Sequence, residues 1–330
     1  MFSEEILVII SVVHLYVIAA IYSAAELYTS IKDYIDGRDK QYYLSRVKNS
    51  LFYNEAGELR RRTALVTGAA GAIGRKVVKH LSDLGYQVFV MGHGVGNLRH
   101  LGVKDIDSCD IDLTDDLKVS DCLEHWSGSL KRLDLFVSCH GIMASPKHIN
   151  GNNIERHMSV NFFSNVFMIE RLSKIIENHH CRMVFLSSAT LHAAHVWDPN
   201  EFATVEAFGY YRNGYHAYAM SKSCLTRYIY LKSREEQRSI GMISAHPGIV
   251  ATPLYDNVNF LWRVFIQNFL NHILWSPDQA ALKLIDIAHS SEFFPGCYYE
   301  MGNAGEIAAD PQQNAQFMSS VEQVLRQKMK

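Results

Sequence analysis

The chain is poor in several features that would place it in large functional classes. Its 330 residues carry 32 Lys and Arg against 34 Asp and Glu, a formal net charge of -2. Without a basic surplus there is no footprint for phosphate backbones, so nucleic acid is not an expected partner. The 6 cysteines (Cys109, Cys122, Cys139, Cys181, Cys224 and Cys297) form no C-x-x-C pair and no dense framework. They read as free thiols in a reducing compartment. Metal sites are also not expected. His192 and His195 have no acid or thiol beside them in sequence, and His179-His180 closes a helical pattern, where cations suit the dipole. Internal repeats and low-complexity tracts are missing.

Charge is wholly absent from ILVIISVVHLYVIAAIYSAA, residues 6–25. As a helix this run is roughly 30 Å long, about one hydrocarbon core. A secretory signal would place basic residues ahead of it, but Ser3, Glu4 and Glu5 stand there. The run therefore predicts an N-terminal transmembrane helix over 1–26. Lys32, Arg38, Lys40, Arg46 and Lys48 all follow it, which puts the remainder of the chain on the cytosolic side. Residues 27–61 show no clean apolar period and read as a juxtamembrane connector.

From Thr63 the texture alternates. TALVTG, YQVFVMG, SCDIDL, LDLFVS, RMVFLSS and MISAHPG are short apolar runs. Helical spacing fills the intervals, first in AIGRKVVKHLSDLG and then around 115–126, 155–178 and 216–238. This is the pattern of an α/β domain, a doubly wound parallel sheet covered on both faces, here over 62–305 with a C-terminal tail helix over 306–330. Such sheets bind ligands at the carboxyl ends of their strands.

TGAAGAIG follows the first strand and opens a helix. Thr67, Gly68, Gly71, Ile73 and Gly74 thus form a candidate Rossmann-type pyrophosphate loop, since glycines permit close backbone approach and the helix offers N–H groups to an anion. The second strand ends in VFVMGHGVG with no acid to hold the ribose hydroxyls of NAD(H). His93 in that zone, and Arg75 after the loop, favour NADP(H), with NAD(H) as the alternative.

YAMSK places Tyr218 and Lys222 on one helical face. A nearby ammonium is expected to lower the phenol's pKa and prepare it for proton transfer. Ser188 ends the strand RMVFLSS and is placed to hydrogen-bond a substrate oxygen; Asn161 lies in the helix before that strand. Taken together, TGAAGAIG, Asp112-Leu113, Asn161, Ser188, Tyr218 with Lys222, and HPGIVATPLY resemble the short-chain dehydrogenase/reductase family over about 62–305, most closely its membrane-anchored retinol-dehydrogenase-like and X-linked dehydrogenase/reductase-like members. The resemblance implies that Asp112 and Leu113 meet the adenine, that Lys222 binds the nicotinamide ribose and tunes Tyr218, and that Asn161 orders a relay water. It also implies that Pro247, Gly248 and Thr252 flank the nicotinamide. Its further implications are a lipophilic alcohol or carbonyl substrate (retinoid, steroid or polyprenoid), an endoplasmic-reticulum or lipid-droplet membrane, and compatibility with a homodimer.

Three stretches depart from the family pattern. Ala72 stands where the loop usually has glycine, a spacing shared with the extended, sugar-nucleotide branch. A long insert, LHAAHVWDPNEFATVEAFGYYRNG, separates Ser188 from Tyr218. SCHG, residues 138–141, replaces Asn-Asn-Ala-Gly. There Gly141 keeps the close approach to the ribose. Cys139 and His140, adjacent on extended chain, point to opposite faces and make a poor thiolate–base pair. Ser138 and His140 are expected to replace the missing asparagine hydrogen bonds, with Cys139 packing as a small apolar group. The apolar stretch 259–275 reads as either a buried helix or a lid for a greasy substrate. Two rival functions remain, a non-catalytic nucleotide-binding scaffold at a membrane and a sugar-nucleotide enzyme.

Overall fold

The computed structural model describes residues 4–38, 40–49, 62–96, 98, 103, 106–177, 181–194, 204–235, 240–250, 252, 254, 275–300, 303–306 and 311–328. His179, His180, His195 and the stretch 259–274 lie outside them.

Seven parallel strands and one antiparallel strand form a single sheet in the order β3-β2-β1-β4-β5-β6-β7-β8. The strands are β1 (Thr63–Thr67), β2 (Gln87–Gly92), β3 (Ile106–Asp110), β4 (Leu133–Ser138), β5 (Arg182–Leu186), β6 (Gly241–Ala245), β7 (Tyr298–Glu300) and β8 (Asn303–Gly305). The helices are α1 (Glu4–Ile35), α2 (Lys40–Asn49), α3 (Ala72–Asp83), α4 (Asp116–His125), α5 (Ser127–Leu130), α6 (Ser164–Ile175), α7 (Leu191–Ala194), α8 (Gly214–Lys232), α9 (Pro277–His289) and α10 (Pro311–Lys328). The parallel doubly wound sheet expected from the alternation is borne out.

Continuous apolar strands arise because both faces of the sheet are covered. Along β1, Leu65 joins one core with Phe89, Phe136, Phe163 and Tyr228. Ala64 and Val66 join the opposite core with Val77, Val78, Leu81 and Leu284. Period-2 alternation thus assigns each strand residue to one of two hydrophobic layers. The tail helix α10 belongs to this domain, with Phe317, Val321 and Val324 buried in the first layer.

Two findings depart from expectation. Cys109 on β3 and Cys122 on α4 are joined by a disulfide, their Cα atoms 6.6 Å apart, so not all the cysteines are free. The short turn between β3 and α4 brings them together, and that proximity is invisible in their spacing. The N-terminal run is helical, but among the described residues no helix is long and apolar enough to cross a membrane. The inner face of α1 explains the difference. Ile18 and Tyr22 pack against the α/β core. Tyr22 donates to Glu300 at 2.8 Å, Ser30 accepts from the Trp275 indole at 2.8 Å, and Asp33 takes Lys283 at 2.6 Å. The opposite face, with Ile9, Val13, Val17, Ile21 and Tyr28, is exposed. Next to it, α2 sends Val47 into the second layer and Arg46 to Asp286 at 2.9 Å.

Candidate active site

β1 and β4 lie side by side although β2 and β3 intervene in sequence, so the chain changes direction across the sheet between them. Ligands of open α/β sheets bind in the crevice at such a switch point. Gly68, just past β1, has φ +66, and a Cβ there would sit 2.5 Å from the His140 nitrogen and 2.7 Å from the Cys139 carbonyl carbon. A Cβ on Gly74 would run into the Gly68 carbonyl oxygen. Gly71 caps α3 without any side-chain hydrogen bond, which leaves the first N–H groups of that helix directed at the cleft.

The cleft has two lobes. One, of about 640 Å³, is lined by Gly71, Ile73, Gly74, Tyr218, Lys222, Pro247 and Thr252. The other, of about 800 Å³, is lined by Gly68, His93, Asp112 and Leu113. Cys139, His140 and Gly141 border both. Burial works against the Asp112 carboxylate, yet the Thr114 N–H and hydroxyl, together with His93, hold its pKa below the usual value. Its Oδ2 lies 3.7 Å from His93.

The end of β4 is tied down by His140. Its Nδ1 lies 2.8 Å from the Thr67 hydroxyl and 3.2 Å from Ser138, and its Nε2 lies 2.7 Å from Ser164. Ser138 also donates to Asn165 at 2.6 Å. Burial, aided by the Lys222 ammonium, pulls the imidazole down to about 3, so it stays neutral. Burial pushes the Cys139 thiol up to about 12, and Cys139 packs against the second apolar layer. Ser138 and His140 thus both make buried hydrogen bonds here, and Cys139 packs as a small apolar group. Thr67, by contrast, faces this knot; it is fully buried and its hydroxyl is engaged with His140 instead of the cleft.

Asn161, Ser188, Tyr218 and Lys222 come from separate elements. Asn161 sits in a π-helical turn, Met158–Phe163, that leads into α6. Such turns reorient side chains and recur at functional sites. Its Oδ1 accepts the Ile142 N–H at 2.8 Å, and its Nδ2 donates to Ile142 O at 3.0 Å and to Ser221 Oγ at 2.9 Å. This links the loop after β4 to α8. On α8, capped by Asn213, Tyr218 and Lys222 are both buried. The Lys222 Nζ lies 5.8 Å from the Tyr218 ring centre and donates to Leu186 O at 2.7 Å. Burial lowers the Lys222 ammonium to about 8. Burial also raises the Tyr218 phenol to about 12, opposed by a hydrogen bond from Ser188. The lowering by Lys222 expected from sequence is not what sets this phenol; burial raises it, because a phenolate here would lose its hydration. The Ser188 hydroxyl accepts the Thr190 N–H at 3.3 Å, and Ser187, which lines the 640 Å³ lobe, turns its hydroxyl toward Thr226 at 2.7 Å. A Cβ on Gly141 would meet Asn161 Oδ1 at 3.2 Å and Lys222 Nζ at 3.4 Å, so the chain passes close to both.

Gly248 has φ +91 and is covered by Trp275 and Glu26. Neither of those two figured among the site residues expected from sequence. For Glu26 a signal existed, since it is the first charge after the uncharged run.

The glycine cradle, the uncapped α3 terminus and the two-lobed cleft fit a dinucleotide, and the comparisons agree. The family model described as short chain dehydrogenase matches residues 62–197. Polyprenol dehydrogenase of Mus musculus is 27% identical over 258 residues, covering 70% of this chain and 72% of that one. Retinol dehydrogenase 11 of Mus musculus is 25% identical over 224 residues, covering 63% and 68%. Among solved structures, the KRED1-Pglu enzyme aligns with a TM-score of 0.56 at 20% identity, over 72% of this chain and 99% of that one. Salutaridine reductase from Papaver somniferum aligns with a TM-score of 0.53 at 17% identity, over 73% and 100%. These likenesses extend the fold match across the sheet, and over 62–197, the part that carries the glycine loop, Asn161 and Ser188, the chain is similar to short-chain dehydrogenases.

Proposed function

We propose that this protein interconverts a lipophilic alcohol and its aldehyde or ketone with NADP(H), using Tyr218 as acid/base, Ser188 to polarise the oxygen, Lys222 to hold the ribose and Asn161 to support the relay. The observation that carries this reading is the buried Tyr218 phenol beside Lys222 on the wall of the 640 Å³ lobe. The dinucleotide, when bound, supplies the hydride donor or acceptor. Tyr218 exchanges the carbinol proton at its hydroxyl, and Ser188 donates to the same substrate oxygen. Lys222 stays cationic below about pH 8 and stands beside the Tyr218 ring. Asp112 and Leu113 take the adenine end, and Gly68, Gly71, Ile73 and Gly74 take the pyrophosphate.

NADP(H) is favoured over NAD(H) for a reason of charge. The strand neighbouring β2 does end in an acid, Asp110, but its carboxylate is committed to the Gly94 N–H at 2.9 Å and the Gly96 N–H at 3.3 Å. What faces the cleft at the end of β2 is His93. Substrate class rests on the relatives named for polyprenol and retinol, together with the exposed apolar stripe of α1, which is suited to a lipid surface. A membrane-bound enzyme whose catalytic domain faces the cytosol would meet such substrates where they partition.

The test uses purified protein, NADPH and NADH in turn, and a panel of retinal, steroid ketones and polyprenals. Loss of 340 nm absorbance that vanishes in Tyr218→Phe is the expected result. Measurable dinucleotide binding without turnover of any panel member would favour the non-catalytic scaffold.

A further inference from the structure

Glu26 is only 1% exposed, although it lies on the N-terminal helix and far in sequence from the α/β domain. A carboxylate buried that deeply requires partners. Its two oxygens accept the Ile249 N–H at 2.7 and 2.8 Å, and Oε1 lies 3.2 Å from His246 Nε2. A hydrogen bond from a backbone amide to a charged acceptor is among the stronger kinds. The segment it grips has little else to hold it. His246 N–H reaches Tyr299 O at 2.8 Å, but among the described residues no backbone–backbone hydrogen bond ties 247–250. Gly248 has φ +91, and a Cβ there would stand 3.0 Å from the Trp275 ring and 3.6 Å from Glu26 Oε1. Trp275 is itself fastened to α1 through Ser30. The same segment presents Pro247 to the 640 Å³ lobe, with Thr252 just beyond.

We infer that Glu26 is a positioning residue for the nicotinamide-flanking segment, so that α1 completes the cofactor site as well as packing on the domain. The inference rests on the dinucleotide reading above. The carboxylate fixes the Ile249 amide, and through it the place where Pro247 and Thr252 meet the cleft. Reach matters more than charge here, because the acceptor atom must arrive at the amide.

The test uses the full chain in detergent and three variants. Glu26→Ala removes the acceptor, Glu26→Asp keeps the charge but withdraws it by one methylene, and Glu26→Gln keeps the reach without the charge. Ile31→Ser, on the exposed face of α1, is the control. Two quantities are read: amide hydrogen exchange at Ile249 in the cofactor-free protein, and Kd for NADPH by fluorescence. E26A and E26D should lose Ile249 protection while strand amides keep theirs, and should weaken NADPH binding about tenfold. E26Q should retain protection and bind within about threefold of wild type. Ile31→Ser should change neither reading. Unchanged Ile249 protection in E26D, lost protection without weaker NADPH binding, or E26Q behaving like E26D would each overturn the proposal, and the last comparison decides even if E26A fails to fold. Wild-type protein that binds neither NADPH nor NADH would overturn the dinucleotide reading first, an outcome visible before any variant is made.

Discussion

Two pairs of titratable residues border the same cleft, and burial shifts both in the same sense, thiol and phenol up, imidazole and ammonium down. Cys139 and His140 look reactive by residue type. Burial pushes the thiol up to about 12 and pulls the imidazole down to about 3, so both are uncharged at any working pH. Tyr218 and Lys222 look ordinary, a phenol and an amine. Burial lowers Lys222 to about 8, close to working pH, and raises Tyr218 to about 12. All four line the 640 Å³ lobe, but both nitrogens of the His140 ring are taken up by the Thr67 and Ser164 hydroxyls. On the proposed function, hydrogen-bond engagement separates the two pairs more than the intrinsic reactivity of the residues does.

The sharpest way to break that contrast is at Tyr218. Tyr218→Phe removes the hydroxyl and keeps the buried ring, so turnover should fall about 10³-fold while NADPH affinity stays near wild type. Steady-state rates at 340 nm and fluorescence titration measure the two. A variant with near-normal turnover would move the acid/base role elsewhere.

The next effect belongs to the other pair and is structural. His140→Ala leaves the Thr67 and Ser164 hydroxyls without their ring partner in a buried place. Unfolding free energy should drop by about 3 kcal/mol, measured by urea denaturation, and dinucleotide affinity should weaken because Gly68 packs on the His140 backbone.

A smaller effect follows from the sign of the His140 shift. Its folded-state pKa is about 3, against roughly 6.5 when unfolded. Stability from the neutral buried ring is therefore fully present above about pH 6.5 and is lost as pH falls from there toward 3. His216 and His289, lowered by burial to about 4, add to the same slope. Between pH 6 and 4.5 the wild type should lose stability more steeply than His140→Ala, by about one proton or 1.4 kcal/mol per pH unit. Parallel curves for the two proteins would show that the ring is hydrated in solution.

Much of this was legible before the structure. β1, β2, β4, β5 and β6 declared themselves because buried parallel strands are short and apolar; β3 has no fully buried residue and starts two residues before the expected run, and β7 and β8 were not expected. The glycine loop and the Tyr218–Lys222 spacing were legible because both depend on local geometry. What escaped depends on distant partners. The inner face of α1 carries Tyr22, Glu26, Ser30 and Asp33 among apolar neighbours, and only their partners, Glu300, Ile249, Trp275 and Lys283, give them meaning. The π-turn at Asn161 leaves no mark in hydrophobic periodicity. The Cys109–Cys122 bond depends on how a turn folds back. The Tyr218 pKa went the other way from expectation because desolvation is a property of the finished cavity and not of spacing.

The smallest expected effect makes the most exacting test of the contrast. Cys139 borders both lobes and stands next to His140, so a sulfur mechanism would have to pass through it. The thiol, however, is held protonated, and the imidazole beside it is occupied by Thr67 and Ser164. Removing the sulfur should take away a little packing against the second layer and nothing else. Cys139→Ala should keep kcat within about twofold of wild type, at a cost of about 1 kcal/mol in stability. Turnover lost with cofactor affinity intact would reverse the assignment of the two pairs, making the sulfur the reacting group and Tyr218 its neighbour.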